Sequence, residues 1–384
     1  MPIRPTEAVV DLAAIAHNYR LAVEVGGRPA IGVVKADAYG HGAVRVARAL
    51  VDAGAPVLAV ALVEEGIELR DAGFEAPVLV LGGAYGDAYE ELVRHRLVPV
   101  VFTREHVTRL AAAARSLGVR ARLHVKVDTG MGRLGATEDE LSALADVLRA
   151  SPDVEVEGLL THFASADLAP RATTERQIRR FEAAWEAFAQ AGIAPRLRHL
   201  ANSAGTIEYA FVPQGLTRPG IMLYGYLPFD PAAAPLPEAA REVAKRLRLA
   251  LSWRTAIAHV KEVAAGTPIS YGGYWVAQRT SRIATLPVGY ADGYSRRLSG
   301  RAGYGCGHVL VRGRRAPVAG TVCMDLTMVD VTDVPGASVG DEVVLLGEQG
   351  SERIDADELA RRAGTISYEV LCGIGTRVPR RYVP

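Results

Sequence analysis

Residues 30–54 read AIGVVKADAYGHGAVRVARALVDAG, and this stretch predicts the first strand and the first helix of a repeating unit. Residues 30–34 are a short apolar run typical of a buried strand. Residues 43–53 have helical periodicity, and Gly54 follows them where a helix commonly ends in a left-handed residue. Lys35 stands where the strand ends. The stretch therefore predicts a β/α unit with a charged side chain at the carboxyl end of its strand.

The same alternation continues to residue 225 and predicts the fold of this part of the chain. Apolar strands joined by helices are typical of a parallel sheet with both faces covered. Eight such units within roughly 200–250 residues predict an α/β fold of the TIM type, a (β/α)₈ barrel. A doubly wound sheet is the alternative that alternation alone leaves open. The predicted strands are 30–34, 57–61, 77–81, 98–102, 121–127, 154–160, 197–201 and 215–223, and the predicted helices include 43–53, 106–117, 138–150 and 174–191.

The pattern changes after Tyr226. Residues 228–237 are rich in proline and alanine, as in a linker, and a short polar helix is predicted over 238–246. Beyond it, alternating runs separated by glycine and proline predict a mostly antiparallel C-terminal β domain. We therefore predict a barrel domain over 1–238 and a β domain over 239–384. Its predicted strands are 250–263, 282–288, 308–311, 326–331 and 342–346, with one helix over 355–363.

Composition limits the classes to which the protein can belong. Of its 384 residues 49% are hydrophobic and 23% charged, and the net charge of +1 gives no indication of nucleic-acid binding. Charged residues interrupt the longer apolar stretches, and the first five residues lack an apolar signal segment, so neither a membrane span nor export is expected. The three cysteines are scattered and odd in number, which argues against a disulfide framework. A cytoplasmic enzyme is therefore expected.

Polar residues gather at the carboxyl ends of the predicted strands, where barrel enzymes place their active sites. Partial desolvation there would lower the pKa of Lys35 and suit it to act as a nucleophile or in a Schiff base. Taken alone, Lys35 is better explained by a lysine at a strand end that extends its amine to solvent, but other polar residues accompany it. Arg218 would face the ring nitrogen of a cofactor, and the loops after the last two strands would bind phosphate. The other residues at this rim are Lys126, Arg133, His162, Asn202, Ser203, Gly220 and Ile221.

Seven motifs, in order along the chain, resemble those of the alanine racemases. The first, VVKADAYGHG at 33–42, is similar to the segment that binds pyridoxal phosphate in that family, and it is specific by itself. The likeness covers essentially the whole chain, although the three-residue SYG match would carry no weight alone. The other motifs are KVDTGMGRLG at 126–135, SYG at 270–272, GYADGY at 289–294, VCMDL at 322–326, YEV at 368–370 and RVPR at 377–380.

The resemblance implies a set of residues that bind pyridoxal 5'-phosphate. Lys35 would hold the cofactor as an aldimine, and Arg218 would contact the pyridine nitrogen. Because arginine is always protonated, that nitrogen would stay unprotonated, which discourages transamination. The phosphate would be held by Tyr39, Ser203, Gly220, Ile221 and Tyr368.

The resemblance also implies how L-alanine and D-alanine would be interconverted. Racemisation removes a proton from one face of the α-carbon and supplies one to the other, so it needs two bases, here Lys35 and Tyr271. A phenol has an unperturbed pKa of about 10, so Tyr271 requires a shifted pKa or a relay. His162, between Arg218 and Tyr271, would be that relay. Arg133 and the backbone of Met324 would take the substrate carboxylate, Tyr290 would lie near the methyl group, and a carbamylated Lys126 would hold Arg133.

The family also implies a homodimer whose shared sites take Lys35 from one subunit and Tyr271 from the other, and D-alanine as a precursor of peptidoglycan. No metal is expected, because Cys306 and His308 are too few to close a zinc site. Two other functions stay open. One is a pyridoxal-phosphate racemase of broader specificity, whose pocket would admit longer side chains. The other is a non-catalytic barrel that binds the cofactor and would lack the β domain and Tyr271.

Overall fold

The computed structural model describes residues 3–168, 170–229 and 235–384. These residues form two compact units. The barrel unit consists of the described residues within Ala14–Ala38 and Ala43–Arg248, and the β unit of those within Met1–Ala13, Tyr39–Gly42 and Leu249–Pro384. Residues 230–234 of the predicted linker lie outside the described residues. The domain boundary predicted at residue 238 stays a prediction.

The barrel unit contains a parallel sheet in which the strands pair in chain order. Three of its strands, of sequence LAV, VLV and VPVV, are buried at every residue. Strands of this kind need cover on both faces, which explains the parallel arrangement with helices outside. The strands are β2 (Gly32–Val33), β3 (Leu58–Val60), β4 (Val78–Val80), β5 (Val98–Val101), β6 (Ala121–Lys126), β7 (Val154–Leu160) and β8 (Leu197–His199).

An eighth extended stretch, residues 215–218, closes this sheet. On the side of β8, Gly215 and Arg218 donate backbone hydrogen bonds of 2.9 and 2.8 Å. On the side of β2, the backbone of Thr217 exchanges hydrogen bonds of 3.2 and 2.8 Å with residues 29 and 31. The predicted (β/α)₈ barrel is therefore confirmed. The eighth strand is shorter than the predicted 215–223, because Ile221–Tyr224 forms a 3₁₀ turn.

Helices follow the strands and bury one apolar stripe each, as α3 does with Val46, Ala47 and Leu50. Within the described ranges, none of the helices has the length and apolar character needed to span a bilayer. The helices of the barrel unit are α1 (Leu12–Gly26), α2 (Lys35–Gly40, which continues into the β unit), α3 (Ala43–Asp52), α4 (Val63–Asp71), α5 (Tyr89–Arg94), α6 (Arg104–Ser116), α7 (Leu141–Arg149), α8 (Ala172–Gln190), α9 (Ser203–Glu208) and α10 (Glu238–Ala244).

The β unit consists mostly of antiparallel strands, which confirms the predicted β domain. Its largest sheet has the order β15-β14-β17-β9-β1-β19, with β18 paired to β17. Strand β1, which the sequence did not predict, pairs antiparallel with β9 and parallel with β19. The elements are β1 (Glu7–Asp11), β9 (Leu251–Ala256), β10 (His259–Val263), β11 (Pro268–Ile269), β12 (Trp275–Val276), β13 (Ser281–Leu286), β14 (His308–Val311), β15 (Arg314–Pro317), β16 (Thr327–Asp330), β17 (Glu342–Gln349), β18 (Glu352–Ile354), α11 (Ala356–Ala363), α12 (Ser367–Cys372) and β19 (Arg380–Val383).

Candidate active site

Lys35 lies just beyond β2, at the carboxyl end of the first barrel strand, and its side chain is half-buried. The four residues that follow, 36–39, all have φ between +51° and +54°. This part of α2 is therefore a left-handed turn, a conformation that costs L-residues about 1–2 kcal/mol each. Backbone strain of this kind is concentrated at functional sites.

Two carboxylates hold the left-handed turn in place. Oε1 of Glu65 accepts a hydrogen bond from the N–H of Ala36 (2.6 Å), and Oε2 accepts one from the N–H of Ala61 (2.7 Å). Oδ1 of Asp37 accepts a hydrogen bond from the N–H of Ala43 at the start of α3 (2.7 Å). Glu65 thereby connects the loops that follow β2 and β3, and fixes the backbone next to the lysine.

Lys126 ends β6, and only 6% of its surface is exposed. Burial, with the cations Arg218 and Arg133 nearby, lowers the pKa of its amine to about 8. The loop beyond it is anchored by Asp128, whose carboxylate accepts hydrogen bonds of 2.9–3.1 Å from the N–H groups of residues 130–132. This loop carries Arg133 to an exposed position.

Arg218 is buried, and its neighbours engage both Nη groups. The Nη groups donate to the carbonyl oxygens of Thr161 (2.6 Å), His199 (2.6 Å) and Leu200 (3.0 Å), and Nη1 also donates to Nδ1 of His199 (2.8 Å). Among the residues that the structure describes, none accepts a hydrogen bond from Nε–H. Burial lowers the pKa of Arg218 to about 9, so the guanidinium is still charged at neutral pH.

His162 follows β7, and its Nδ1 lies 3.4 Å from Nη2 of Arg218. Because arginine can only donate, Nδ1 is the accepting nitrogen and Nε2 carries the proton. Burial, together with the cations Arg218, Arg133, Lys126 and Lys35, keeps the pKa of His162 well below its usual value. His162 is therefore neutral and offers an N–H group on the side away from the arginine.

Gln177 on α8 connects the loop of His162 with the loop that follows Lys126. Its Nε2 donates to the carbonyl oxygen of His162 (3.0 Å) and to Oγ1 of Thr129 (3.2 Å). Its Oε1 accepts a hydrogen bond from the N–H of Ala164 (2.9 Å). This buried amide therefore fixes two of the loops at the rim.

Ser203 begins α9 and is buried, and Asn202 caps this helix. The Ser203 hydroxyl oxygen accepts hydrogen bonds from the N–H groups of Gly220 (2.8 Å) and Met222 (3.4 Å), on either side of Ile221. Backbone N–H and hydroxyl donors are thus gathered at the end of the barrel sheet. Such donors are suited to bind a phosphate, so these residues fit the cofactor that the sequence predicts.

Tyr39 and Tyr368 belong to the β unit, and their ring centroids lie 6.0 Å apart. Burial, with Tyr368 and Cys372 nearby, raises the pKa of Tyr39 far above its usual value. The Tyr39 phenol therefore stays protonated and can donate a hydrogen bond, as a ligand of phosphate must.

Tyr271 follows Ser270, a residue with φ of +66°. The Ser270 hydroxyl donates to the carbonyl oxygen of Thr321 (2.6 Å), and the Thr321 hydroxyl donates to the carbonyl oxygen of Tyr271 (3.0 Å). These bonds fix the backbone of Tyr271 to the segment that leads to Met324. The Tyr271 side chain itself is 74% exposed.

Tyr290 and Met324 are brought together by close backbone contact. The N–H groups of Tyr290 and Ala291 donate to the carbonyl oxygens of Cys323 and Met324, both at 3.0 Å. Gly289 permits this contact, because a Cβ atom there would lie 2.3 Å from the Met324 carbonyl oxygen. The side chains of Tyr290 and Met324 are 41% and 53% exposed, so the backbone is ordered while both side chains face outward.

The predicted site residues therefore fall into two groups. The barrel unit holds Lys35, Lys126, Arg133, His162, Ser203, Arg218, Gly220 and Ile221, and the β unit holds Tyr39, Tyr271, Tyr290, Met324 and Tyr368.

The sequence analysis did not predict three residues that contact or position this set, namely His199, Glu65 and Gln177. His199 ends β8, a position that could have indicated it, whereas Glu65 and Gln177 lie on helices and no motif marks them.

Known proteins resemble this chain over its whole length. The family models of the alanine racemase N-terminal and C-terminal domains match residues 10–228 and 250–382. The chain is 44% identical over 383 residues to the alanine racemase of Halothermothrix orenii, covering 99% of this chain and 97% of that protein. It is 47% identical over 394 residues to that of Sorangium cellulosum, covering 99% of each. The crystal structure of alanine racemase from D-cycloserine-producing Streptomyces lavendulae matches with a TM-score of 0.91 and 35% identity, covering 100% of this chain and 98% of the other.

Proposed function

The chain belongs to the alanine racemase family of pyridoxal-phosphate-dependent isomerases, and on this premise we propose that Lys35 and Tyr271 move the α-proton as it interconverts L- and D-alanine. When bound, pyridoxal phosphate supplies an aldehyde that reacts with a lysine amine and a ring that stabilises negative charge at the α-carbon. The protein supplies the residues that hold the cofactor and move the proton.

The contacts of Arg218 are the observation that best supports the proposed cofactor site. Its Nη groups are occupied by three carbonyl groups and by His199, which leaves Nε–H for an acceptor outside the barrel core. A pyridine nitrogen accepts one such hydrogen bond. Because Arg218 keeps its proton near neutral pH, it would donate a hydrogen bond to that nitrogen without protonating it, and this would disfavour transamination.

In this proposal the phosphate of the cofactor would be held by hydroxyl, phenol and backbone N–H donors. The Ser203 hydroxyl and the N–H group of Ile221 would supply donors, and the N–H of Gly220, which donates to the Ser203 oxygen (2.8 Å), would orient that hydroxyl towards the phosphate. Tyr39 and Tyr368 supply phenol groups, and the raised pKa of Tyr39 supports its role as a donor. Lys35 anchors the cofactor covalently.

The two bases act on opposite faces of the α-carbon in this proposal. The Lys35 amine takes or gives the proton on one face, and the Tyr271 oxygen does so on the other. Tyr271 must lose its proton to accept one. His162 is neutral with its proton on Nε2, so it can donate to the Tyr271 oxygen and stabilise the phenolate, with Arg218 behind it. His162 would thereby serve as the relay between Arg218 and Tyr271.

Arg133 and the backbone of Met324 are proposed to bind the substrate carboxylate, and Tyr290 to lie near the methyl group. We further propose that Lys126 is carbamylated. Its pKa of about 8 leaves a fraction of the amine neutral and reactive at physiological pH, and cations surround it. Carbamylation would replace a positive charge by a negative one, which would attract Arg133 and hold it in place for the carboxylate.

The assembly proposed is a homodimer with shared active sites. Tyr271, Tyr290 and Met324 are aromatic or apolar and exposed, and Tyr274 (64%) and Ile366 (61%) of the β unit are exposed as well. The backbones of Tyr271, Tyr290 and Met324 are joined through the segment 321–324, and exposed apolar side chains on one such segment support an interaction surface. In a two-fold dimer each site would take Lys35 from one subunit and Tyr271 from the other.

Subunit mixing tests the shared site. Lys35→Ala and Tyr271→Phe are each expected to be inactive, and after exchange half the dimers contain one chain of each kind. One site in such a dimer carries both changes and the other carries neither, so about a quarter of the wild-type activity should return. A mixture that remains as inactive as its parents would mean that each site lies within one chain.

A cytoplasmic location and the use of D-alanine for peptidoglycan are further proposals. The three cysteines are free, which supports a reducing compartment. The function itself is tested by a racemisation screen over the common L-amino acids with added cofactor. Alanine should be the preferred substrate, Lys35→Ala should abolish turnover, and Lys261→Ala, at an exposed position of β10, should leave it unchanged. Equal turnover of longer side chains would instead indicate a racemase of broad specificity.

A further inference from the structure

Two buried histidines continue the contacts of Arg218 into the interior of the barrel. His199 on β8 is fully buried, and His124 on β6 is 3% exposed. Nδ1 of His124 lies 2.7 Å from Nε2 of His199, and Nε2 of His124 lies 3.5 Å from Oε2 of Glu157 on β7. The four side chains form a chain of contacts from Arg218 through both histidines to Glu157.

Only one arrangement of protons fits this chain when both histidines are neutral. Arg218 donates to Nδ1 of His199, so the His199 proton is on Nε2 and is donated to Nδ1 of His124. The His124 proton is then on Nε2 and points towards the Glu157 carboxylate. Burial lowers the pKa of both histidines, and the hydrogen bond from His124 lowers the pKa of Glu157. The Glu157 carboxylate also pairs with Arg122 (3.1 Å) and Arg196 (3.4 Å) at the strand surface. The two neutral rings thereby connect Arg218 to a carboxylate that is held in its ionised form.

The buried positive charge of Arg218 requires a compensating negative charge. Across the described part of the chain, no carboxylate forms an ion pair with Arg218, and its direct acceptors are carbonyl groups and histidine nitrogens. A buried charge without a counter-ion is costly. Neutral imidazoles in a row are polarised by the charges at their ends and transmit part of that interaction.

The backbone around His124 is shaped to admit its ring. The register between β6 and β7 shifts between Leu123 and His124, and His124 stands opposite Gly158. A Cβ atom at Gly158 would lie 2.5 Å from Nδ1 of His124, the nitrogen that contacts His199. A β-bulge and a glycine therefore make room for the ring at this position.

We propose that Glu157 and His124 are positioning residues for the cofactor: acting through His199, they hold the charged guanidinium of Arg218 so that its Nε–H faces the pyridine nitrogen. This inference rests on the proposed function of Arg218. It assigns a role in reaction specificity to a carboxylate that reaches Arg218 through two histidines.

The direct test is the protonation pattern of the two rings. In holoenzyme with ¹⁵N-labelled histidine, both signals, assigned with a His124→Gln variant, should show an unprotonated Nδ1 and a protonated Nε2. This readout does not depend on turnover, so it tests the chain of contacts from Arg218 to Glu157 separately from the proposed function. A protonated Nδ1 on either ring would overturn the proposal.

The functional test is Glu157→Gln, which keeps the shape and removes the charge. Glu155→Gln is the matched control, because Glu155 lies on the same strand and pairs with Arg196 (3.2 Å), which also pairs with Glu157 (3.4 Å), whereas among the described residues it is Glu157 that contacts His124. Glu157→Gln should raise the ratio of transamination to racemisation about three- to tenfold, Glu157→Asp should partly restore it, and the control should leave it unchanged. If Glu157→Gln lowered only the thermal midpoint, with the ratio equal to the control, the role would be purely structural and the proposal wrong.

Discussion

Replacement of Ala36 by glycine should stabilise the protein, although glycine usually destabilises a folded chain. Ala36 is exposed, so the change loses no packing, and its φ is +53°. Removal of the Cβ atom relieves about 1–2 kcal/mol of steric cost in the left-handed region. Greater freedom of glycine in the unfolded chain offsets about 0.5–1 kcal/mol of this gain. The net expectation is a gain of about 0.5–1 kcal/mol in the free energy of unfolding.

The same substitution at Ala49 provides the control. Ala49 lies in the right-handed helix α3 and is half-buried, so Ala49→Gly should cost about 1 kcal/mol. The two variants should therefore differ in opposite directions from the wild type, with thermal midpoints in the apo form separated by roughly 2 °C. If Ala36→Gly were destabilised to the same extent as Ala49→Gly, the turn after Lys35 would not be left-handed and the argument for strain at this site would be wrong.

Three further predictions concern the cofactor lysine, Gln177 and Lys126. Borohydride reduction of the holoenzyme should fix the cofactor to the peptide that contains Lys35 and to none of the other three lysines of the chain, as peptide mass mapping would show; label on another lysine would contradict the assignment. Gln177→Leu leaves the carbonyl oxygen of His162 and the N–H of Ala164 unpaired, so it should lower the free energy of unfolding by about 2–4 kcal/mol and also lower kcat. The control Arg179→Ala, on the exposed face of α8, should change the free energy of unfolding by less than about 0.5 kcal/mol; chemical denaturation measures both. Carbamylation of Lys126 can be measured by ¹³C NMR with labelled bicarbonate, and at constant dissolved CO₂ it should increase as the pH rises through about 8, because only the neutral amine reacts. The absence of a ¹³C signal in the wild type, or a signal retained in Lys126→Ala, would contradict the proposed carbamylation.

The barrel could be predicted because apolar runs and helices alternate with a regular spacing. The strand ends in turn placed Lys35, Lys126, His162 and Arg218 at one rim. The prediction was wrong about the length of the eighth strand, since Ile221–Tyr224 turns back as a 3₁₀ segment. It also missed β1, because five residues between the N-terminus and a helix gave no pattern of their own, and the strand is defined by its pairing with distant strands.

Other features depend on three-dimensional contacts that leave no trace in local sequence. The left-handed turn uses alanine, aspartate and tyrosine, none of which predicts positive φ in the way that glycine does. It is held by Glu65 from α4, the second helix further along the chain. The chain of contacts from Arg218 to Glu157 includes His199 and His124, and these three partners of Arg218 lie on three different strands, so only the closed barrel reveals it. The sequence motifs mark the proposed site residues, while the residues that contact and position them are visible only in the fold.

The measurement that tests the central claim most directly is solvent deuterium exchange at the α-carbon by a Tyr271→Phe variant that binds the cofactor normally. Because Lys35 is proposed to serve one face and Tyr271 the other, the variant should still exchange the α-proton of D-alanine and should exchange that of L-alanine far more slowly. Wild-type protein should exchange both. Equal loss of exchange from the two enantiomers, with cofactor binding intact, would contradict the assignment of Lys35 and Tyr271 as separate bases on opposite faces.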